Sequence, residues 1–503
     1  MHGDIPKEYS TIVVIPTILS SQDKVKELAH NLEVYYLANK SNNLYFAILG
    51  DCTASTTKDV EIDSKIIETG IEEVRKLNER YKETEYNIPK FYFLYRERTW
   101  NASEKCYLGW ERKRGLLCQF NEFLVTGKNS FKINTIKEKL NIKYVITLDA
   151  DTNLVLDTAK LLIGSMAHIL NEPIVDENKN IVIDGHALIQ PRIGIDLEAS
   201  RKSLFTKIYA GSGGTDSYTN AISDIYQDNF EEGIFTGKGI YDLNVFYKVL
   251  NDEFPENTVL SHDLLEGSYL RCGLASDILL MDGYPAKYNS FIQRQHRWIR
   301  GDFQIMQWLK GTIKIKNGTT RKNRLSSLSK LKIFDNLRRS TVSISVIVLL
   351  ILGLFLSFNY QLLGIAIIIL SIIAYTIPTI LDILNYIIFK EDVKPNFISA
   401  YRNITKTIAG IKASFLRGIL NLLFLPNQAY ITCNAICKTI YRMKISKHNL
   451  LEWMTAEDAE KQAKSSLISY YKNMPANVVF SILFLTIGQL GRGILAIFSE
   501  LFG

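Results

Sequence analysis

The stretch Tyr144–Thr152, YVITLDADT, closes a short β-branched run with two carboxylates, Asp149 and Asp151. Such a run reads as a buried strand, and the side-chain period of two aims both acids the same way. Two like charges on one face repel, so keeping both ionised at neutral pH calls for a cation. Carboxylate oxygens suit Mg²⁺ or Mn²⁺, which commonly also bind the phosphates of a substrate. The plain alternative is that one acid caps the next helix while the other is solvated.

Placing the two acids takes a sheet. From Tyr9 to about Met281, short β-branched runs alternate with helical stretches: TIVVIPTIL and YFAILGD flank a helix over Asp23–Ala38, and FYFLYRE and YVITLDAD follow in the same style. The pattern predicts a doubly wound α/β fold. Ligands of such sheets bind beyond the carboxyl ends of the strands, where Asp51, Arg96, Asp149 and Asp151 all fall. No internal repeat or low-complexity linker interrupts the pattern.

The chain has 503 residues, 47% of them hydrophobic, and a formal net charge of +7, which together indicate a globular protein of more than one ordinary domain. Its six cysteines, Cys52, Cys106, Cys118, Cys272, Cys433 and Cys437, are scattered, which fits a reduced, cytosolic setting. The basic excess comes with no nucleic-acid-binding motif, so nucleic acid is not expected as a partner. Much of that excess lies beside apolar segments, where it reads as membrane orientation and phosphate binding.

MHGDIPKEYS lacks the apolar region of a secretory signal. Thr341–Phe358 and Leu362–Phe389 are apolar runs of spanning length, predicted to form a helical hairpin through a turn at Asn359–Gln361. Asn477–Phe498 is a third candidate span, weakened by Arg492. Lysines and arginines crowd Arg294–Arg339 and Lys390–Lys472, which puts both regions on the cytoplasmic side and the hairpin turn outside. The third span would leave the C-terminus outside as well. Ile411–Leu425, broken by Lys412 and Arg417 and followed by Pro426, reads as an amphipathic helix in the plane of the inner leaflet.

Seven motifs then occur in order: LGD at Asp51, WERKRGLLCQFNEFL at Trp110–Leu124, TLDAD at Asp149 and Asp151, QPRIG at Gln190–Gly194, YQDNFEEGIFTGKGIYD at Tyr226–Asp242, SHDLLEG at Ser261–Gly267 and RQHRWIRGD at Arg294–Asp302. Together they resemble the glycosyltransferase domain of cyclic β-1,2-glucan synthases, glycosyltransferase family 84, which are inverting membrane enzymes of GT-A type. The resemblance covers Tyr9–Asp302, and more loosely LLEWMTAEDAE at Leu450–Glu460. It implies a GT-A, Rossmann-like cytosolic domain over residues 1–305 and a basic juxtamembrane region over 306–340. A two-helix transmembrane hairpin follows at 341–389, then a cytoplasmic region with interfacial helices at 390–475 and a third span at 476–500.

The resemblance also implies roles. Asp51 would contact the uridine of a UDP-sugar, with Arg96 beside it as a further donor-binding candidate. Lys113 and Arg114 would meet the pyrophosphate, although a solvated helix face also explains ERKR. Asp149 and Asp151 match the metal-binding DxD, with Asp151 as direct ligand of Mg²⁺ or Mn²⁺ and Asp149 nearer the ribose or the waters of the metal. Asp263 matches the general base that takes the proton of the acceptor hydroxyl. His262 beside it is read as structural, because neighbours in a regular element point apart, and Glu266 is the runner-up base. Arg297 and Trp298 match the end of the QxxRW signature of processive synthases, for pyrophosphate and acceptor sugar respectively; here Arg294 replaces the Gln, giving RxxRW. Gly237, Lys238 and Gly239 in FTGKGIYD suit an acceptor-facing loop, and Gln190 and Arg192 are further candidates.

The expected activity is therefore transfer of glucose from UDP-glucose to a growing β-1,2-glucan at the cytosolic face of the inner membrane. Two rivals stay open: a processive synthase of the same architecture with another linkage or sugar, and a catalytically silent scaffold that binds nucleotide or glucan. Relatives that make cyclic glucan are longer and carry a phosphorylase-like domain, a possible missing partner of this chain.

Overall fold

The computed structural model describes residues 3–82, 88–210, 224–316, 318–388, 411–452, 459–461, 466–483 and 485–486. Nine strands form one sheet: β1 (Thr11–Leu19), β2 (Leu44–Cys52), β3 (Phe91–Arg96), β4 (Phe131–Asn134), β5 (Tyr144–Thr147), β6 (Thr152–Asn153), β7 (Leu188–Ile195), β8 (Gly239–Asp242) and β9 (Cys272–Asp282). Their spatial order is β4-β3-β2-β1-β5-β8-β7-β9-β6. The four runs singled out in the sequence are β1, β2, β3 and β5, and they pair in parallel as neighbours, β3-β2-β1-β5.

Alternation along β1 shows why the sheet is buried on both faces. Ile12 and Val14 belong to one core with Leu116, Leu117 and Phe120 of α3 (Arg112–Thr126). Val13 and Ile15 belong to a second core with Leu28 of α1 (Gln22–Ala38), Ile66 of α2 (Glu61–Arg80) and Leu162 of α4 (Thr158–Met166). Each such side chain taken fully from water contributes about 1.5–3 kcal/mol. Helices on both faces of a largely parallel sheet confirm the α/β expectation.

Three strands depart from it, β4 and β6 pairing antiparallel at the two edges and β8 inside the sheet. β8 runs antiparallel between β5 and β7, with Gly239 opposite Thr147. Its amino end therefore lies at the carboxyl end of β5, and the FTGKG turn arrives beside Asp149. After β8 come α5 (Leu243–Leu250), α6 (Asp263–Tyr269) and α7 (Tyr288–Gln304).

Among the described residues two helices are long and apolar enough to cross a membrane, α8 (Ser327–Leu356) and α9 (Gln361–Ile388), with mean hydropathies of 2.2 and 2.3 and mostly exposed surfaces. The hairpin is as expected, but α8 starts inside the region 306–340 that had been read as a separate juxtamembrane unit. Ser326 caps it through a bond from Ser329 N of 3.0 Å, and buried Lys332 donates to Glu232 Oε2 at 3.1 Å and Gly233 O at 3.0 Å. The first turns of the helix are thus fastened to the sheet domain.

The helix read over Ile411–Leu425 is longer than expected. Instead of ending at Pro426, α10 (Ile411–Tyr441) continues through it and packs along α7, α8 and α9. Leu425 joins a small core with Val346 and Leu350, and Arg417 pairs with Asp382 of α9 at 2.8 Å. Its charge is thereby neutralised by a helix neighbour. Most of the third candidate span, and residues 453–458 of the LLEWMTAEDAE stretch, lie outside the described residues.

Candidate active site

A cavity of about 1140 Å³ opens beyond the end of β5, and its wall includes Lys113, Asp149, Asp151, Lys238, Asp263, Arg294, Arg297 and Trp298. These come from five places: the first turn of α3, the end of β5, the turn before β8, the start of α6, and α7.

Asp149 lies among cations. Lys113 Nζ donates to its Oδ1 at 2.5 Å and to Gly237 O at 3.1 Å, and Lys238 Nζ is 3.4 Å from its Oδ2. Burial works to raise the Asp149 carboxyl, but the two ammonium groups outweigh it and hold it well below the ordinary carboxylate range. Asp151, two residues on, is exposed, and a Cβ added at Gly283 would lie 3.3 Å from its Oδ2. The two acids do share one cavity, but β5 ends at Thr147 and they stand in the turn beyond it, where Thr152 N donates to Asp149 O at 3.1 Å, so the strand period does not place them and they meet different surroundings.

Lys238 does not present a free ammonium to an acceptor. It is 6% exposed and pairs with Asp282, which is fully buried and accepts from Thr152 Oγ1 at 2.5 Å. Burial works to lower Lys238, and the Asp282 and Asp149 carboxylates more than reverse it, so the ammonium stays charged. Gly237 has φ +90°, and a Cβ there would stand 2.8 Å from Asp263 Oδ1, so the turn passes directly over the proposed base. Gly239 opens β8 against the backbone of Ile189. Gln190 fastens the same turn, its Oε1 accepting from Thr236 N at 2.9 Å. Arg192 lies outside the cavity wall.

Asp51 and Arg96 are brought together, but not into the cavity. They stand at the ends of adjacent strands β2 and β3, one strand beyond β1, and are 2% and 1% exposed. Arg96 Nε and Nη2 reach Asp51 Oδ1 and Oδ2 at 2.6 and 2.7 Å, a bidentate pair. The remaining donors of Arg96 reach Trp110 O at 2.7 Å and Arg112 O at 2.8 Å, the turn that launches α3. Both oxygens of Asp51 are thereby engaged, and the pair holds the turn from which Lys113 projects. Arg114 is likewise committed: its Nη2 bonds Glu111 Oε2 at 2.5 Å, and its guanidinium lies 5.9 Å from the Trp110 ring and 5.6 Å from that of Phe254.

On α7, Arg294, Arg297 and Trp298 fall at spacings that share a helix face. The Arg294 guanidinium lies over the Trp298 ring at 4.8 Å, so the residue that replaces Gln stacks on the Trp of the same signature. Burial and the neighbouring Arg294 push Arg297 down to about 10, still charged at neutral pH. Gly301 lets α7 close on the base-bearing segment, since a Cβ there would be 2.4 Å from Ser261 Cβ.

Asp263 opens α6. Burial raises its carboxyl, while His262 and Lys113 act to lower it. The main residue that motif reading missed is Asp282, at the end of the apolar run ILLMD; the rule that found Asp149, an acid closing a buried strand, applies equally there.

No protein-family model matches the chain. Among curated proteins, the cyclic beta-(1,2)-glucan synthase NdvB of Rhizobium meliloti (strain 1021) is 34% identical over 495 residues, 97% of this chain and 17% of that protein. Among solved structures, S. aureus TarS is similar at a TM-score of 0.31 and 12% identity, over 66% of this chain and 44% of that one, too loosely to carry a functional argument. Along nearly its whole length the chain is therefore similar to one segment of a far longer cyclic β-(1,2)-glucan synthase, in agreement with the resemblance of its motifs.

Proposed function

We propose that the protein is a membrane-bound, inverting glucosyltransferase that uses UDP-glucose to extend a β-1,2-glucan at the cytosolic face. The supporting observation is that Asp149, Asp151 and Asp263 line one cavity, tied together where Lys113 bridges Asp149 and the Gly237 carbonyl and Gly237 crosses Asp263. The similarity to the glucan synthase supports the linkage, and the exposed apolar hairpin supports a bilayer as surroundings.

In this reading the acceptor hydroxyl attacks the anomeric carbon, its proton passes to the Asp263 carboxylate, and the bond from that carbon to the UDP oxygen breaks with its electron pair leaving on the diphosphate. Lys113 and Arg297 supply positive charge to the leaving group. The Trp298 face offers an apolar platform for the acceptor sugar. Asp151 fits a metal ligand, being exposed in the cavity with Gly283 leaving room beside it. Asp149 fits the outer role, since the two lysines already engage its oxygens. When bound, Mg²⁺ or Mn²⁺ would supply charge neutralisation to the diphosphate.

The test is incubation of detergent-solubilised protein with radiolabelled UDP-glucose, a β-1,2-glucan primer and Mg²⁺ or Mn²⁺, followed by digestion with a β-1,2-specific glucanase. A digestible, metal-dependent product is expected. UDP release with an undigested product would replace the linkage, and absence of turnover would overturn the enzymatic reading.

A further inference from the structure

His262 has no conventional task. It stands at the N-cap of α6 but makes no capping bond, and it is 5% exposed. Its φ and ψ of −100° and −12° differ from the extended geometry typical of that position. Nδ1 comes to 2.8 Å from Glu266 Oε1, one turn on, and to 3.6 Å from Asp263 Oδ1. Glu266 is 2% exposed, so a carboxylate in the first turn of α6 is buried with the imidazole as its close partner. An uncompensated buried carboxylate is costly, which argues that the imidazole carries a proton. One ligand atom of each lies within 4.8 Å of the others, and His262 and Asp263 both line the cavity while Glu266 stands behind them.

We propose that a protonated His262, anchored by Glu266, is a positioning residue that keeps Asp263 ionised and aimed into the cavity; this rests on Asp263 being the base. The structural reading of His262 made from sequence assumed that neighbours diverge, and the turn at the helix start removes that assumption.

The surroundings agree. Burial works to lower His262, and the Glu266 and Asp263 carboxylates outweigh it, so the imidazole titrates above its ordinary value. Facing Asp263 from other elements are Lys113 of α3 and Arg297 of α7, both cationic, and Asp149 at the end of β5. Facing Glu266 are Arg114 and Cys118 of α3 and Tyr241 of β8. Of the cations, His262 acts most strongly on Asp263, ahead of Lys113.

Two measurements test this. In the full-length protein carrying ¹³C-labelled histidine, assigned by the signal lost in His262→Gln, His262 should titrate above about 6.5, and Glu266→Gln should bring it down. In transfer assays, activity rises as Asp263 loses its proton, so His262→Gln should move the acid limb of kcat/KM up by about 1–3 pH units while UDP affinity is unchanged, because an opposite charge at this range lowers a carboxyl by that amount. A merely structural histidine would lower activity at every pH and leave the limb in place. An imidazole titrating at or below the ordinary value in the wild type, or an unmoved limb, overturns the proposal. If the wild type transfers no glucose, the enzymatic reading fails, and the imidazole titration still decides whether the His262–Glu266 pair exists.

Discussion

Replacing Lys238 by methionine separates two readings of the FTGKG turn. An acceptor-facing lysine could be removed with little effect on folding. The structure instead surrounds its ammonium with Asp282, which is fully buried, and Asp149. Lys238→Met keeps the stem and removes the charge, stranding the Asp282 carboxylate with Thr152 as its remaining partner. Breaking a buried pair from one side costs about 3–5 kcal/mol. At about 2 °C per kcal/mol for a unit the size of the sheet domain, Tm should fall by about 6–10 °C. The loss should depend on pH. Burial already raises Asp282 while Lys238 opposes it, so removing the lysine raises it further. The folded variant then holds a proton that the unfolded chain, with a carboxyl near 3.9, has released. The deficit should be small below about pH 4 and grow as pH rises through the raised value of Asp282. Lys238→Met with Asp282→Asn should recover much of the loss, because no charge is stranded. Thermal scans by tryptophan fluorescence from pH 4 to 8 read all of this. A variant whose Tm stays within 1–2 °C of wild type while the acceptor KM rises would refute the buried-pair argument.

Other expectations follow from the cavity. Asp263→Asn should cut transfer by about 10²–10⁴-fold and leave UDP binding within about twofold, since a general base acts in the transition state; equal loss of nucleotide binding, by calorimetry, would refute it. Asp151→Ala should abolish the dependence of UDP binding on Mg²⁺ or Mn²⁺, and calorimetry with and without EDTA checks this. Trp298→Ala should raise the acceptor KM and leave UDP affinity in place. Arg114→Met, which strands buried Glu111, should lower Tm before it affects nucleotide binding, in contrast to Lys113→Met, which should weaken UDP binding with a smaller loss of Tm.

Some of this was set by sequence alone. The apolar run Ile12, Val13, Val14 and Ile15 dictates a strand buried on both faces, and the place of Asp149 and Asp151 just past another such strand brings both acids to the cavity at the sheet's edge, although they stand in a turn and not in strand register. Spacings of three and four place Arg294, Arg297 and Trp298 on one face of α7, and uninterrupted apolar runs make α8 and α9 long enough to span a bilayer. These are properties of backbone geometry, which repeats locally and needs no knowledge of neighbours. Which charge meets which is a different kind of fact. Lys113 reaches Asp149, Lys238 takes Asp282, and Arg96 takes Asp51 one strand away from the cavity, because strand order β3-β2-β1-β5-β8 brings distant segments together. Two neighbours in sequence part ways: Lys113 reaches Asp149 across the fold, and Arg114 takes Glu111 three residues back. His262 comes to 2.8 Å from Glu266 and 3.6 Å from Asp263 at the start of α6. Burial makes each unpaired charge costly, so the partners across the sheet are decided by packing of the whole chain, whereas Glu111–Arg114 and His262–Glu266 fall at local spacings of three and four.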